Sequence, residues 1–312
     1  MDDPIGNNFS PYLLSRPGIL PTMLRNHPSL GERIEAFFSG QKPILIIGGE
    51  PANGKSLLMG ELILRLSELE RSHAGSKSRL TLISYDRVHS LFFEYLAKET
   101  RKKASPFKCL PGRNRRRDLL PEGETHPDVR RLVTSIMRDL LHFAFSYLPQ
   151  TTPIIMEAPL IGHRGEAAVD ELHTRAFPLQ TFIVHSPTMW NWIFEEEERL
   201  SDRSAHKLAM QQIRNKLLQR AQDTWLSPEE EAEKIARFWQ DWLLDRDGIL
   251  LSWNPEHDKK GFEVTRDLLK TNRIQPDPLA PPFLLDYAIS HIQAVLRAVP
   301  DLEAFATAVW DY

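Results

Sequence analysis

The 312-residue chain has a single cysteine, Cys109, and this scarcity limits its chemistry. One thiol excludes an internal disulfide and a thiolate metal cluster, and it suits a reducing compartment. No run of about 18 apolar residues occurs, so we expect no membrane-spanning helix and no membrane partner. The first residues, Met1, Asp2 and Asp3, lack the basic and apolar regions of a signal peptide. We therefore expect a cytoplasmic protein, with a secreted effector as the alternative.

An excess of charge of one sign is also missing. The chain has 39 Lys and Arg against 42 Asp and Glu, a formal net charge of -3. This balance argues against general coating of nucleic acid. The 11 histidines are scattered without an H-E-x-x-H pattern, so a histidine metal site is not indicated. An apolar content of 41% and a charged content of 26% are ordinary for a globular protein.

The most informative motif that is present reads G-E-P-A-N-G-K-S, at residues 49–56. It fits the P-loop pattern G-x-x-x-x-G-K-[ST], which carries weight only between a buried strand and a helix. The apolar run Pro43–Ile47 predicts the strand, and Leu57–Leu66 is typical of a buried helix. Backbone N–H groups would then cradle phosphates, while Lys55 reaches the β- and γ-phosphates and Ser56 binds Mg²⁺. The alternative, an ordinary glycine-rich turn, leaves Lys55 unexplained.

The motif predicts ATP and Mg²⁺ as cofactors. The nucleotide-binding residues predicted from it are Gly49, Glu50, Pro51, Ala52, Asn53, Gly54, Lys55, Ser56 and Leu57.

Five short apolar runs predict strands, and helical patterns separate them. The runs are Pro43–Ile47, Leu80–Tyr85, Pro153–Met156, Thr181–Val184 and Gly248–Ser252. Strands that alternate with helices form right-handed crossovers and a parallel sheet. We therefore predict a three-layer α/β/α P-loop NTPase core with a five-stranded, mostly parallel sheet. Ligands of such sheets bind at the carboxyl ends of the strands. The residues predicted at this edge are Gly49, Asp86, Glu157, His185 and Asn254.

Signatures of several P-loop classes are missing from the sequence. The guanine-reading motif N-K-x-D of GTPases and the transporter signature L-S-G-G-Q are absent. Helicases and AAA+ proteins carry an Asp or Asp-Glu after four apolar residues, whereas the run 154–157 ends in a lone Glu157. Small-molecule kinases instead carry a carboxylate after the second strand and arginines in a helical lid between the fourth and fifth strands. Asp86, Arg199 and Arg203 occupy those places.

Three segments together resemble one family. G-E-P-A-N-G-K-S, I-S-Y-D-R-V-H and I-I-M-E-A-P-L look like the zeta-toxin and chloramphenicol-phosphotransferase branch of P-loop kinases, over roughly residues 43–255. The resemblance implies that Lys55 binds ATP and that Asp86 takes the proton of the substrate hydroxyl. It implies that Glu157 holds the substrate. It also implies that Arg199 or Arg203 stabilises the transferring phosphate.

Two departures from the family pattern concern the substrate pocket. Ala158 stands in place of the family's glycine, and the Thr-x-Arg element has no clean counterpart. His163 and Arg164 lie nearby and are predicted to contact the substrate in its place. As loop residues they could equally be solvated.

Domain boundaries follow from these segments. Residues 1–40 are predicted as an N-terminal extension that packs on the core, residues 41–255 as the P-loop kinase-like domain, and residues 256–312 as a C-terminal helical extension. A basic insertion at residues 98–131 and a helical lid at residues 189–246 interrupt the core.

Each predicted role has a structural alternative. Asp86 could cap the helix that follows it. Glu157 could hold the Mg²⁺ water shell, or it could be a buried carboxylate paired with an arginine. Arg199 and Arg203 share one helix face and could form a solvated salt-bridge ladder with Glu195–Glu198.

Asn254 follows the fifth strand, where related kinases hold the adenine ring with backbone groups. Trp253 is expected to pack beneath that loop. A plain strand-ending turn is the alternative.

The leading hypothesis is an ATP- and Mg²⁺-dependent kinase that phosphorylates a hydroxyl of a small molecule, with a nucleotide sugar as one candidate. One alternative is a 5′-hydroxyl nucleic-acid kinase that holds its substrate with the basic run Arg101–Arg117. Another is a regulatory ATPase that acts through a protein partner.

Overall fold

The computed structural model describes residues 13–49, 53–72, 80–100, 126–149, 151–157, 178–186, 228–254, 258–271 and 279–311. The strands in this part of the chain are β1 (Ile44–Gly48), β2 (Thr81–Ser84), β3 (Ile154–Glu157), β4 (Leu179–His185), β5 (Gly248–Ser252) and β6 (Leu279–Ala280). The helices are α1 (Ile19–Asn26), α2 (Leu30–Phe38), α3 (Lys55–Ser72), α4 (Tyr85–Glu99), α5 (Pro127–Tyr147), α6 (Pro228–Leu243), α7 (Lys259–Thr271), α8 (Pro282–Arg297) and α9 (Leu302–Asp311).

The strands form one sheet in the order β5–β4–β1–β3–β2–β6. Every residue of β1 is buried, and its isoleucines suit a strand that is covered on both faces. β1 pairs in parallel with β3 on one side and with β4 on the other. The fold is α/β, with five parallel strands, and is compatible with a three-layer arrangement of helices and sheet.

All five predicted strands are confirmed, with shifts of one or two residues at their ends. Tyr85, predicted as strand, begins α4. The two-residue strand β6, which pairs antiparallel with β2, was not predicted because it is too short to show a pattern. Helix α1 was not predicted either. No helix in the described part of the chain combines the length and the apolarity that a membrane span requires.

The chain divides into two compact units. The first comprises Met1–Thr81 and Gln150–Pro276, and the second comprises Leu82–Pro149 and Asp277–Tyr312. The contacts of Ser56, Glu157, Gly49 and Trp253 that form the candidate site all lie within the first unit.

In the first unit, the carboxylate of Glu61 joins three helices. Its Oε2 accepts hydrogen bonds from the amides of Ile19 at 2.9 Å and Leu20 at 3.1 Å, which are the first two residues of α1. The hydroxyl of Thr265 in α7 also donates to Oε2, at 2.9 Å. Glu61 therefore caps α1 from a neighbouring helix, where the N-cap residue Gly18 offers no side chain.

Arg65 completes this cluster from the next turn of α3. Its Nη2 donates to Oε1 of Glu61 at 3.2 Å and to the carbonyl of Pro17 at 2.7 Å. Glu61 is 0% exposed and Arg65 is 2% exposed. Burial raises the pKa of Glu61, and the Leu20 amide, the positive charge of Arg65 and the Thr265 hydroxyl act against this rise. In a cluster this dry, removing one charged partner leaves the other buried and uncompensated.

The second unit packs α8 against α4, α5 and β6. Pro127 occupies the first turn of α5, where the missing N–H costs nothing, and His126 accepts a hydrogen bond from the Asp128 amide at 3.2 Å. Between α5 and α8, the rings of Phe143 and Tyr287 stack with centroids 3.8 Å apart.

Replacing Glu61 is expected to destabilise the first unit strongly. Glu61→Ala leaves the Leu20 amide without its buried acceptor and removes one of the acceptors of the Ile19 amide and of the Arg65 guanidinium. Breaking such a buried pair costs about 3–5 kcal/mol of unfolding free energy. Glu68→Gln is the matched control, because Glu68 binds the same Arg65 but is partly exposed. Its loss should stay below about 1 kcal/mol in urea unfolding. Equal losses for the two variants would contradict this role of Glu61.

Asp247 gives a second, pH-dependent contribution. It accepts from Arg33 at 2.6 Å and from Lys42. Burial raises the pKa of Asp247, but the hydrogen bonds and charges of Lys42 and Arg33 outweigh burial and lower it below 3.8. Because the pKa of Asp247 is lower in the folded protein than in the unfolded chain, its ionised carboxylate stabilises the fold at pH values above the ordinary pKa of an aspartate. This stabilisation is lost as the pH falls through the pKa of the folded state.

We therefore expect Asp247→Asn to be less stable than the unchanged protein at pH 7. The difference should shrink on acidification below about pH 4 and in high salt. Asp241→Asn, an exposed aspartate on α6, serves as the control. Urea unfolding between pH 3 and pH 7 measures the effect. A difference that stays constant over this range would rule the contribution out.

Candidate active site

The segment at residues 49–56 lies between β1 and α3, as predicted, and begins with a strained glycine. Gly49 has a φ of +132°, a conformation that side chains with a Cβ rarely adopt. A Cβ at this position would lie 2.2 Å from the carbonyl oxygen of Val184 in β4. Glycine is thus required for the chain to leave β1 close to the backbone of its neighbour.

Helix α3 begins directly after the second glycine of the segment. The amides of Leu57 and Leu58 both donate to the carbonyl of Gly54 at 3.0 Å, which closes the first turn. Lys55 is the first residue of the helix and is 8% exposed. No acidic side chain lies in this first turn. The positive end of an 18-residue helix is therefore not neutralised from within its own first turn.

Ser56 and Glu157, which the sequence proposed as site residues for separate reasons, are brought together. The Ser56 hydroxyl donates to Oε1 of Glu157 at 3.1 Å. Ser56 is exposed and Glu157 is partly exposed. A hydroxyl and a carboxylate that solvent can reach therefore lie side by side at the start of α3.

The sheet order explains this pairing. β3 lies beside β1, and Ile47 of β1 is in register with Glu157 at the end of β3. Helix α3 packs against both strands. The first turn of α3 and the carboxyl end of β3 consequently meet at one edge of the sheet, where parallel sheets bind ligands.

Trp253 supports the segment from β5. Its Nε1–H donates to the carbonyl of Asn53 at 2.9 Å. A Cβ on Gly54, whose φ is +91°, would lie 2.7 Å from Cζ2 of the indole. The Trp253 amide donates to His185 at 3.2 Å, which continues the pairing of β5 with β4. The indole, 4% exposed, therefore lies against the glycine before Lys55.

Asn53 carries a polar atom without a partner. The residue is 2% exposed, and its Oδ1 accepts no hydrogen bond within the described part of the chain. The fully buried hydroxyl of Ser186, just after β4, is in the same state. Buried polar atoms without partners are rare in folded proteins, and Asn53 and Ser186 place two of them beside the segment and at the end of the neighbouring strand.

Metal ligands other than Ser56 and Glu157 are not indicated by clustering. Among the described residues, no group of three or more His, Cys, Asp and Glu could hold an ion. Oxygen atoms from one hydroxyl and one carboxylate are a donor set that suits Mg²⁺ with water and phosphate in its other positions.

Of the other predicted residues, some lie outside the described part of the chain and some lie inside it. Glu50, Pro51, Ala52, His163, Arg164, Arg199 and Arg203 lie outside the described residues. Leu57 lies in the first turn of α3, and Asn254 follows β5 and accepts from the Asp258 amide at 3.0 Å, as a turn residue does. The roles proposed for them remain predictions.

Asp86 is the second residue of α4, which begins directly after β2. The N-cap of that helix is Ser84, so Asp86 is not the N-cap residue. The orientation of its side chain is outside the described part, and its role as a base remains a prediction.

Trp253 contacts the segment before α3, which the sequence did not predict. The predicted packing beneath the loop at Asn254 stays a prediction, because residues 255–257 lie outside the described part of the chain. One signal was available in the sequence. A tryptophan directly after a strand lies at the edge where all the predicted site residues lie, and a large ring there must pack on a neighbouring loop.

Comparisons with protein-family models, with curated proteins and with solved structures gave no match to this chain. The site is therefore interpreted from its own geometry.

The requirement for glycine at position 49 can be tested by substitution. We expect Gly49→Ala to lower the unfolding free energy by about 2 kcal/mol or more, because the strained φ alone costs about 1–3 kcal/mol and the Cβ also meets Val184. Gly60→Ala is the matched control. Gly60 lies inside α3 without a positive φ, and the new methyl meets only the flexible end of Leu269. Thermal unfolding of both variants decides the point, and equal stability of the two would contradict it.

Proposed function

We propose that this protein is an ATP- and Mg²⁺-dependent phosphotransferase that phosphorylates a hydroxyl of a small molecule. The hydrogen bond of 3.1 Å between Ser56 and Glu157, beside Lys55 at the start of α3, is the observation that carries the proposal. In P-loop enzymes a serine or threonine at this place and a carboxylate after a neighbouring strand hold the metal.

Both residues fit Mg²⁺ without rearrangement of their pairing. A serine hydroxyl has one proton and two lone pairs, so Ser56 can donate to Glu157 while a lone pair binds the ion. Glu157 would then accept from Ser56 with one oxygen and hold the ion, or its water, with the other. When bound, Mg²⁺ supplies charge neutralisation at the β- and γ-phosphates.

The phosphates of ATP would lie over the N-terminus of α3. A lysine ammonium beside the positive end of a helix dipole is unfavourable by itself, and polyphosphate offsets both charges. Lys55 would hold the β- and γ-phosphates, and the backbone N–H groups of the segment would surround them. Gly49 would keep the segment close to β4.

The proposed reaction transfers the γ-phosphoryl group of ATP directly to the acceptor hydroxyl. The acceptor oxygen attacks the γ-phosphorus, the bond from this phosphorus to the bridging oxygen of ADP breaks, and ADP leaves. The hydroxyl proton passes to a carboxylate, for which Asp86 is the residue that the sequence pattern favours. The family resemblance supports a small-molecule acceptor, with a nucleotide sugar as one candidate.

Transfer and binding are expected to separate in two variants. With γ-labelled ATP, Mg²⁺ and a metabolite extract, the unchanged protein should label a small molecule. Lys55→Met should lose about a hundredfold or more in transfer, because it removes charge stabilisation of the phosphoryl group. Asp86→Asn should lose about 10²–10⁴-fold in transfer but retain ATP binding, measured by calorimetry.

Lys259→Met is the matched control for Lys55→Met, because Lys259 is also the first residue of a helix but is exposed. Failure of the unchanged protein to bind Mg·ATP would falsify the proposal. Phosphate release without a labelled acceptor would favour the regulatory ATPase, and label on a 5′-hydroxyl oligonucleotide would favour the nucleic-acid kinase.

A further inference from the structure

Trp253 makes two different contacts with the segment that precedes α3. Its indole N–H donates to the carbonyl oxygen of Asn53 at 2.9 Å. Its ring lies against Gly54, where an added Cβ would come within 2.7 Å of Cζ2. One side chain therefore restrains both the direction of a peptide bond and the position of the residue that follows it.

The hydrogen bond to Asn53 sets the direction of the next amide. The Asn53 carbonyl and the Gly54 N–H belong to the same peptide plane, and in a trans peptide they point in opposite directions. Holding the oxygen towards the indole therefore turns the Gly54 N–H away from it. A peptide between two residues can be fixed in this way by a single donor.

This restraint acts where the backbone is otherwise free to turn. Gly54 has a φ of +91° and no Cβ, so its own conformational preference does not hold the peptide in one orientation. Asn53 is 2% exposed but the described residues give its side-chain oxygen no donor, so this atom does not fix the residue either. The contact from β5 supplies a restraint that the segment itself lacks.

The indole is in turn held from two sides. Its own amide bonds to the carbonyl of His185 at 3.2 Å, and its ring stacks on Phe262 of α7 with centroids 6.2 Å apart. Helix α7 is fixed to α3 by the hydrogen bond of 2.9 Å from Thr265 to Glu61. Trp253 is thus a rigid support for the segment.

We propose that Trp253 is a positioning residue for phosphate binding. It orients the Asn53–Gly54 peptide so that the Gly54 N–H is available to the phosphates of the nucleotide. This inference rests on the proposed function, because it assumes that the segment binds phosphate. It assigns to the chain after β5 a part in building the phosphate site.

Trp253→Phe tests the inference because it keeps a ring on Gly54 and removes the N–H. We expect the dissociation constant of Mg·ATP to rise about tenfold, as for the loss of one oriented hydrogen bond. Tripolyphosphate should lose affinity by a similar factor, because the affected contact is to phosphate. In a transfer assay, KM for ATP should rise more than kcat falls.

Trp239→Phe is the matched control. Trp239 is 1% exposed and packs on Trp242 in α6. Both variants replace a buried tryptophan, so a purely structural role predicts similar effects on ATP affinity. The positioning role predicts a change for Trp253→Phe and none for Trp239→Phe, with thermal unfolding measured for each.

Phe262→Leu provides a second test if Trp253→Phe does not fold. It loosens the support of the indole without touching the segment, and it should weaken Mg·ATP binding between about twofold and tenfold. If the unchanged protein binds no Mg·ATP, the proposed function fails and this inference fails with it. If the unchanged protein binds Mg·ATP and the folded variants bind it equally well, the inference is overturned while the proposed function stands.

Discussion

The buried carboxylate of Glu61 is the contact on which the first unit depends. It lies on the helix that begins with Lys55, and it accepts hydrogen bonds from the N-terminus of α1 and from Thr265 of α7. The single carboxylate of Glu61 thereby links α1, α3 and α7. Burial of this group is costly unless each of its lone pairs has a donor. The cluster consequently favours the observed arrangement of the three helices and holds α3 in place at Glu61.

A second point fixes the same helix at its start. From Glu61 the contacts run through Thr265 to α7, from Phe262 to Trp253, and from Trp253 back to Asn53, two residues before Lys55. This series of contacts begins on α3, at Glu61, and returns to the residues just before the start of the same helix. A glycine-rich turn has little stiffness of its own, because glycine accepts many backbone conformations. The order that phosphate binding would need is supplied by packing from β5 and α7.

Sequence patterns predicted the parts of the fold whose cause is local. The five buried strands appear as short apolar runs, and the helix after the motif appears as an apolar stretch, because side-chain burial repeats along the chain. Helix α1 did not appear, because Gly18 carries no capping side chain and the cap is Glu61, a residue 42 positions away for Ile19. Strand β6 did not appear because two residues carry no period. The partner of Trp253 was missed for the same reason as the cap: the contact joins residues 200 positions apart.

The pairing of Ser56 with Glu157 shows what lies between these two cases. Each residue belongs to a recognisable sequence pattern. The distance between the two residues, however, depends on the sheet order, in which β3 rather than β2 lies beside β1. A parallel sheet allows several strand orders, and only some of them bring the end of β3 to the start of α3. The observed order places a proton donor and a carboxylate at the positive end of a helix, beside a buried lysine. The proposal of a nucleotide ligand rests on these groups, because each of them would gain from a metal-bound polyphosphate and none would gain from an apolar ligand.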